Sequence, residues 1–243
     1  MGGFIHEAGI VDADYQQKNK IFYEQYEMGK QDNIAFLKFC LEPLTRYSRS
    51  ELDDFHQQFM KQKIEPIFLD KSQNAVDRHK EYGDTVLVIT ATNSFAAAPI
   101  VRAYGTEHLL TTEPEVESGR FTGNYLGTPC FQSGKIDNLM SWLEQNDETL
   151  DGSTFYSDSH NDLPMLKLVE NPVAVNADPI LRKTAQENGW RILDWIGCRE
   201  YFAVFYPGNL NLFYKLFWGD TDLKDCKSFN PENLRSPMCN FSA

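Results

Sequence analysis

Residues 155–166 read FYSDSHNDLPML, and this stretch decides the fold. A short β-prone run ends in polar residues, among them Asp158 and Asp162, and an apolar helical pattern follows at once. Pro164 suits the first turn of that helix, where its missing N–H leaves no hydrogen bond unmade. In an open α/β sheet, ligands bind at the carboxyl ends of strands. Two carboxylates there predict an oxygen-only site of the kind that Mg²⁺ selects. The same two residues are also compatible with a structural role, as an Asp N-cap and a solvated Asp in a turn.

Strand and helix patterns alternate around this stretch, from about residue 84 to residue 195. The run TVLVIT at 85–90 is continuous, apolar and β-branched, as is typical of a strand buried on both faces of a parallel sheet. The other predicted elements are strands at 108–112, 155–156, 172–176 and 191–193, helices at 95–104, 133–145, 163–169 and 179–188, and a hairpin or loop over 113–130 with its turn near 121–124. The alternation predicts an α/β fold with a doubly wound parallel sheet.

The first third of the chain has a different pattern. Helices are predicted at 14–26, 32–41 and 72–82, and another begins after an N-cap at Ser50. Gly83 follows the last of them as a helix-ending glycine. Its aromatic stripes indicate packing, and His56 and His79 are given no role. We therefore expect a helical cap over 1–83, packed over the crevice of an α/β core over 84–195, and a C-terminal extension over 196–243.

Composition excludes several classes of function. The chain of 243 residues has a formal net charge of -12, which makes a nucleic-acid backbone an unsuitable partner. Its five cysteines include no CxxC pair and do not predict a secreted disulfide framework. The first ten residues lack a basic and then apolar leader pattern, and no run has the composition of a membrane span. These features predict a cytoplasmic protein without a membrane partner; the oligomeric state stays open.

Three features of the core point to phosphate chemistry. A buried strand ends at Thr90, with Thr92 nearby, and a hydroxyl with the backbone N–H groups of the next turn can hold a phosphate oxygen. Lys135 lies at a predicted helix start, where the helix dipole disfavours a cation unless an anion is close. The Asp158 and Asp162 pair comes third. Each feature alone more often has a purely structural role. The occurrence of all three in this order is a far more specific signal than any one of them.

That order resembles the haloacid dehalogenase (HAD) superfamily, and within it the phosphoserine-phosphatase-like subfamily IB, which carries a helical cap. The matching stretches are residues 86–93, 134–135 and 157–165, with further likeness at 111–115 and 127–130. The resemblance implies that Thr90, Ala91, Thr92 and Lys135 bind the phosphoryl group of a small phosphorylated metabolite, with Lys135 also neutralising its charge in catalysis. It implies further that Asp158 and Asp162 hold Mg²⁺. Position 157 is Ser, where the family usually has Gly.

One motif of the family is missing from the printed sequence. The family's nucleophile and its general acid/base are the two Asp of Asp-x-Asp-x-Thr, at the end of the central strand of the sheet. No such motif occurs here; Asp220 and Asp222 form a later Asp-x-Asp, but Lys224 replaces the Thr. Loss of that strand predicts two half-sheets with unpaired backbone edges. The run YFAVFY at 201–206 is the best internal candidate to replace it.

Three functions are compatible with these observations. The first is a Mg²⁺-dependent phosphomonoesterase whose turnover is impaired because the nucleophile motif is absent. The second is a pseudoenzyme or remnant that only binds phosphate. The third, a Rossmann-type nucleotide-binding protein, is disfavoured because no GxGxxG or GxxxxGK[ST] occurs.

Overall fold

The computed structural model describes residues 13–27 and 32–195. The helical region begins with α1 (Ala13–Glu27), α2 (Asn33–Leu41), α3 (Arg49–Phe59) and α4 (Asp70–Glu81). Short 3-10 turns at Glu42–Arg46 and Glu65–Ile67 and a π turn at Met60–Ile64 connect them. No helix in the described part of the chain is both long and apolar enough to cross a membrane.

Side-chain caps fix where these helices begin. Asp32 accepts hydrogen bonds from the N–H groups of Ile34 and Ala35, each at 3.0 Å, at the start of α2. Ser48, rather than the predicted Ser50, caps α3 and forms a reciprocal capping box with Glu51. The prediction was wrong by two residues because Ser48 and Glu51 have the spacing that the capping box requires, whereas Ser50 already lies inside the helix.

The cap packs against the core through one apolar cluster. Leu41 and Leu52 of the cap share this cluster with Phe95 and Phe121 of the core. His56 adds a polar contact, since its Nε2 lies 3.1 Å from the carbonyl oxygen of Ala96. The helices α2 and α3 therefore pack against the first half of the core.

The core consists of alternating strands and helices, as predicted. Its elements are β1 (Leu87–Asn93), α5 (Ser94–Ala103), β2 (His108–Glu117), β3 (Arg120–Leu126), α6 (Ser133–Asn146), β4 (Thr154–Ser157), α7 (Leu163–Leu166), β5 (Asn171–Val175), α8 (Pro179–Asn188) and β6 (Arg191–Leu193). The α/β fold class is confirmed. Pro164 lies in the first turn of α7, as its lack of an N–H requires.

Within the described residues the strands form two separate sheets of three. In the first, β1 pairs with β2 in parallel and β2 pairs with β3 in antiparallel. In the second, β4, β5 and β6 are all parallel. Among residues 13–27 and 32–195, β1 and β4 are edge strands, as the prediction of two half-sheets requires.

The helix α6 shows that β1 and β4 run in the same direction. At its start, Lys135 reaches Asp162, which follows β4. Just after its end, Glu148 accepts a hydrogen bond of 2.9 Å from the hydroxyl of Thr85, which precedes β1. The amino ends of β1 and β4 therefore lie near the end of α6, and their carboxyl ends near its start.

Three predicted boundaries differ from the observed ones. The hairpin turn lies at Ser118 and Gly119, both with positive φ, and the predicted turn at 121–124 is part of β3. The strand β1 continues to Asn93, although its register with β2 is irregular after Ile89. The helix predicted over 163–169 is only the four-residue α7, because the chain must turn back at once into β5.

Candidate active site

A cavity of about 610 Å³ lies between β1 and β4. Thr90, Ser157, Asp158 and Asp162 line its end at the carboxyl ends of these strands. Thr90, Asp158 and Asp162 are each at most 5% exposed. The structure therefore brings three of the predicted site residues to one buried, polar end of a cavity.

Lys135 joins this cluster through an ion pair with Asp162. The Lys135 Nζ lies 2.6 Å from Asp162 Oδ1, and the two side chains are only 6% and 5% exposed. The hydroxyl of Ser157 donates to the other oxygen, Oδ2, at 2.8 Å. The serine that stands where the family usually has glycine thus contributes directly to the site, a role that its position next to the Asp-Ser-x-x-Asp loop did not reveal.

Both carboxylate oxygens of Asp162 therefore already have a partner. A charge-assisted bond on one side and a hydroxyl on the other hold the carboxylate in a single orientation. The anion also offsets the positive charge of Lys135, which would be costly to bury alone. The pair places a buried cation beside Asp162, which lines the polar end of the cavity.

Thr90 offers a hydroxyl at the same end. Its Oγ1 accepts a hydrogen bond of 3.1 Å from the N–H of Thr92, so its own hydrogen can still be donated to an anion. Ala91 and Thr92 lie in β1 just beyond it, where the register with β2 is irregular. Thr92 uses its carbonyl oxygen to bind the hydroxyl of Thr111. The irregular segment turns the Thr92 N–H toward Thr90 and not toward a neighbouring strand.

Asp178 fixes the loop that carries Asp158. The N–H of Asp178 donates to the carbonyl oxygen of Asp158 at 2.8 Å. Its Oδ2 accepts from the N–H of His160 at 2.6 Å and lies 2.9 Å from the His160 Nδ1. Its Oδ1 caps α8 through the N–H groups of Ile180 and Leu181, each at 2.9 Å.

The pKa of Asp178 reflects these contacts. Partial burial alone would raise it, but the hydrogen bonds from Leu181 and His160 outweigh burial and lower it. Sequence reasoning missed Asp178: its place before Pro179 signals a helix cap, but the contact with His160 depends on tertiary structure.

The start of α6 is held by a very close approach of two backbones. A Cβ at Gly134 would lie 2.1 Å from the carbonyl oxygen of Pro129, so only glycine fits there. The N–H of Cys130 in turn donates to the hydroxyl of Thr112 at 3.0 Å, which ties this loop to β2. Gly134 thus sets the position from which Lys135 reaches Asp162.

The carboxylates fit a Mg²⁺ shell only in part. Mg²⁺ requires six oxygen ligands in octahedral geometry. Asp158 and Asp162 provide hard oxygens, but Asp162 already binds Lys135 and Ser157. No group of three or more His, Cys, Asp or Glu side chains within residues 13–27 and 32–195 is arranged to hold a metal ion. The described residues therefore do not complete a metal site by themselves.

Two predictions fall on residues outside the described ranges. These are the strand at 201–206 and the Asp-x-Asp formed by Asp220 and Asp222. Both stay predictions.

The fold and this cluster define a hydrolase of the haloacid dehalogenase class, and the comparison with known families agrees. The family described as haloacid dehalogenase-like hydrolase matches residues 8–167. The chain belongs to this family.

Several relatives are phosphatases by name. A histidinol-phosphatase of Neisseria meningitidis serogroup C is 45% identical over 197 residues, which cover 79% of this chain and 89% of that protein. Phosphoserine phosphatase SerB1 of Mycobacterium tuberculosis is 31% identical over 210 residues, 86% of this chain and 65% of that protein. Among solved structures, a Bordetella pertussis protein of unknown function superposes with a TM-score of 0.76 at 37% identity, covering 80% of this chain and 90% of that one. The phosphoserine-phosphatase-like resemblance read from the motifs is confirmed.

Proposed function

We propose that this chain carries the phosphate-binding half of a HAD phosphomonoesterase site. The observation that supports this most strongly is the convergence of Thr90, Asp158 and Asp162 at the buried end of one cavity, with Lys135 bonded to Asp162. A phosphoryl group there would accept a hydrogen bond from the Thr90 hydroxyl and be neutralised by Lys135. In a chain of net charge -12, this local cation is what lets an anionic substrate approach.

The substrate we propose is a small phosphorylated alcohol, first of all histidinol phosphate. The histidinol-phosphatase relative is 45% identical over 89% of its length, and this supports histidinol phosphate over phosphoserine. Both compounds are phosphate esters of an amino alcohol or a hydroxy amino acid, so the bond to be broken is the same. A cytoplasmic location agrees with the free thiols of Cys40 and Cys130, but it too is a proposal.

The proposed cofactor is Mg²⁺, which would screen phosphoryl charge when bound. Asp158 and Asp162 are the side chains that would hold it, and Asp162 is also bonded to Lys135 and Ser157. We expect weak binding of Mg²⁺ by the described residues alone, since they provide only part of an octahedral shell.

The expected chemistry needs a carboxylate nucleophile. A carboxylate oxygen attacks phosphorus, the bond from phosphorus to the alcohol oxygen breaks, and the leaving oxygen takes a proton from an acid. Water then hydrolyses the acyl phosphate and regenerates the carboxylate. Neither carboxylate at the polar end suits this first role, because Asp162 is paired with Lys135 and Asp158 is the proposed metal ligand. We therefore propose that the 243 residues alone bind phosphate and turn over near the uncatalysed rate.

The test compares substrates and forms of the protein. Phosphate release from histidinol phosphate, phosphoserine and an aryl phosphate is measured with Mg²⁺ or with EDTA, on this chain and on a form with an added N-terminal strand ending in Asp-x-Asp-x-Thr. We expect this chain to release phosphate at a rate near background. We expect the extended form to show Mg²⁺-dependent hydrolysis that is fastest with histidinol phosphate. Hydrolysis that is indifferent to Mg²⁺, or that prefers phosphoserine, would contradict the cofactor or the substrate assignment respectively.

A further inference from the structure

His56 is a buried polar side chain at the contact between the cap helix α3 and the core helix α5. It is 5% exposed, and it lies between two apolar clusters, one with Phe95 and one with Phe59. The imidazole meets both of these rings edge-on, with centroids 5.3 Å away for Phe95 and 5.7 Å away for Phe59. A charge on this imidazole would therefore be nearly without water in the closed contact.

One hydrogen bond of His56 crosses from the cap to the core. Its Nε2 lies 3.1 Å from the carbonyl oxygen of Ala96, in the first turn of α5. Because a carbonyl oxygen can only accept, Nε2 carries the hydrogen of the neutral imidazole. The helix α5 begins directly after β1, the strand that carries Thr90, so this bond ties the cap to the element that follows the phosphate-binding residues.

The other ring nitrogen of His56, Nδ1, has no hydrogen-bond partner among the residues that the structure describes. In the neutral ring Nδ1 is only a lone pair. A second proton would turn it into a charged N–H donor, and no described carboxylate or carbonyl is in place to accept from it. Burial of an unpaired cationic donor is costly, so the closed contact disfavours the protonated form.

Two charged side chains near His56 act on its protonation in opposite directions. Asp53 of the same helix favours the imidazolium, whereas Arg102 of α5 opposes it. Burial is the largest effect, and it lowers the pKa of His56 below its ordinary value near 6.5. A group with a lowered pKa stabilises the closed contact fully above pH ~6.5, and this contribution is lost as the pH falls through the lowered pKa.

From this geometry we propose that His56 is a pH-sensitive latch between cap and core, and that uptake of a proton releases α3 from α5 while both sheets stay folded. In the released form the imidazolium is solvated. Arg49 of α3 would leave with it, because its Cζ lies 5.5 Å from the ring centres of both Phe95 and Phe121. This inference does not depend on the proposed hydrolysis, because it concerns only the contact of α3 with α5.

The experiment measures hydrogen exchange of the backbone amides in the full 243-residue protein and in His56→Gln, at pH 7 and at pH 5. Glutamine keeps an N–H for the Ala96 carbonyl but cannot take up a proton. Comparison of the two proteins at the same pH cancels the intrinsic pH dependence of exchange. Relative to His56→Gln, we expect the opening of α3 and of the first turn of α5 to increase at least about threefold from pH 7 to pH 5. The increase should not exceed about 25-fold, the limit for an ordinary pKa in the open state.

A second variant and an internal control keep the test decisive. His56→Phe keeps an aromatic ring between Phe59 and Phe95 but has no ring nitrogen. It should lack the pH effect whatever its stability, so it replaces His56→Gln if that variant fails to fold. The buried amides of Val173 to Val175 in β5 report on the core, and they should exchange slowly at both pH values.

Three results would overturn the proposal. If α3 opens no more readily at pH 5 than at pH 7 in the unmodified protein, there is no latch. If both variants keep the full pH effect, another group causes it. If β5 loses protection together with α3, the protein unfolds as a whole and the cap is not released separately.

Discussion

At the scale of single residues, the buried ion pair of Lys135 and Asp162 should be the most sensitive point of the site. Asp162→Asn leaves the Lys135 charge buried without an anion, so we expect a loss of about 3–5 kcal/mol in the free energy of unfolding. Asp137→Asn, an exposed change in the same helix as Lys135, should cost less than about 0.5 kcal/mol. Urea unfolding of the variants provides the measurement.

The double variant Lys135→Met with Asp162→Asn serves as the control for this prediction. It removes both charges, so it should recover much of the stability that Asp162→Asn alone loses. The single variant Lys135→Met completes the comparison. If the stability loss of the double variant equals the sum of the losses of the two single variants, the pair does not interact energetically, contrary to the 2.6 Å contact.

His56 should make the stability of the protein depend on pH. Burial lowers the pKa of His56 below its ordinary value near 6.5, and its contact with the Ala96 carbonyl offsets this only in part. The unfolded chain therefore takes up a proton at a higher pH than the folded one. The contribution of His56 to stability is complete above pH ~6.5 and is lost as the pH falls through the folded-state pKa.

The variant His56→Gln keeps an N–H for the Ala96 carbonyl but cannot titrate. We expect it to lose less stability than the unmodified protein between pH 7.5 and pH 5, by about 1.4 kcal/mol for each unit by which the pKa is lowered. His108→Gln, at the exposed start of β2, is the matched control. If both variants keep the full pH dependence, His56 is not its source.

At the scale of elements, the start of α6 should be intolerant of any side chain at Gly134. In Gly134→Ala the new Cβ meets the Pro129 carbonyl oxygen at 2.1 Å, so the helix or the loop must move. We expect a loss of at least about 1–3 kcal/mol, as for an overpacked core, together with weaker phosphate binding because Lys135 moves with the helix. Ser133→Ala, one residue earlier and exposed, should change neither quantity; thermal unfolding and phosphate titration measure both.

Asp178 should act as a positioning residue for the loop 158–162. Asp178→Ala removes the α8 cap, worth about 1 kcal/mol, and frees His160 from its anchor. We expect faster hydrogen exchange over residues 158–162 as well as at the start of α8. Asp178→Asn retains an oxygen for capping, so it should restore slow exchange in α8 more than in the loop. If exchange in the loop is unchanged in both variants, Asp178 is only a helix cap.

Local sequence patterns predicted some elements of this fold and missed others. The periodic helix after Gly134 predicted α6 nearly to the residue, and the apolar run before Thr90 predicted β1 but not that it continues to Asn93. The pattern failed at the hairpin, where Phe121 to Asn124 looked like a turn and Ser118 with Gly119 formed it. It also failed for Ser157 and Asp178, because their roles depend on partners distant in the structure.

At the scale of the whole molecule, the chain is divided by the cavity between its two half-sheets. The sequence predicted this division from a missing motif, and the edge strands β1 and β4 now define it. Thr90 and the loop 158–162, drawn from both halves, line one end of the cavity, and Lys135 is bonded to Asp162 there. What the sequence could not predict is the acidic opposite end, since Asp84 lies far in the chain from Glu148 and Asp151.

We propose that phosphate binding resides in these residues and that the nucleophile comes from a strand between β1 and β4. The most direct measurement is phosphate release from histidinol phosphate by three proteins: this chain, the form with an added N-terminal strand ending in Asp-x-Asp-x-Thr, and that form with the first Asp of the motif changed to Asn. We predict that the extended form is at least ~10³-fold faster than this chain and that the Asn form falls back to the rate of this chain. Robust Mg²⁺-dependent turnover by this chain alone would contradict the claim, and variants at Asp220 and Asp222 would then show whether the nucleophile lies there.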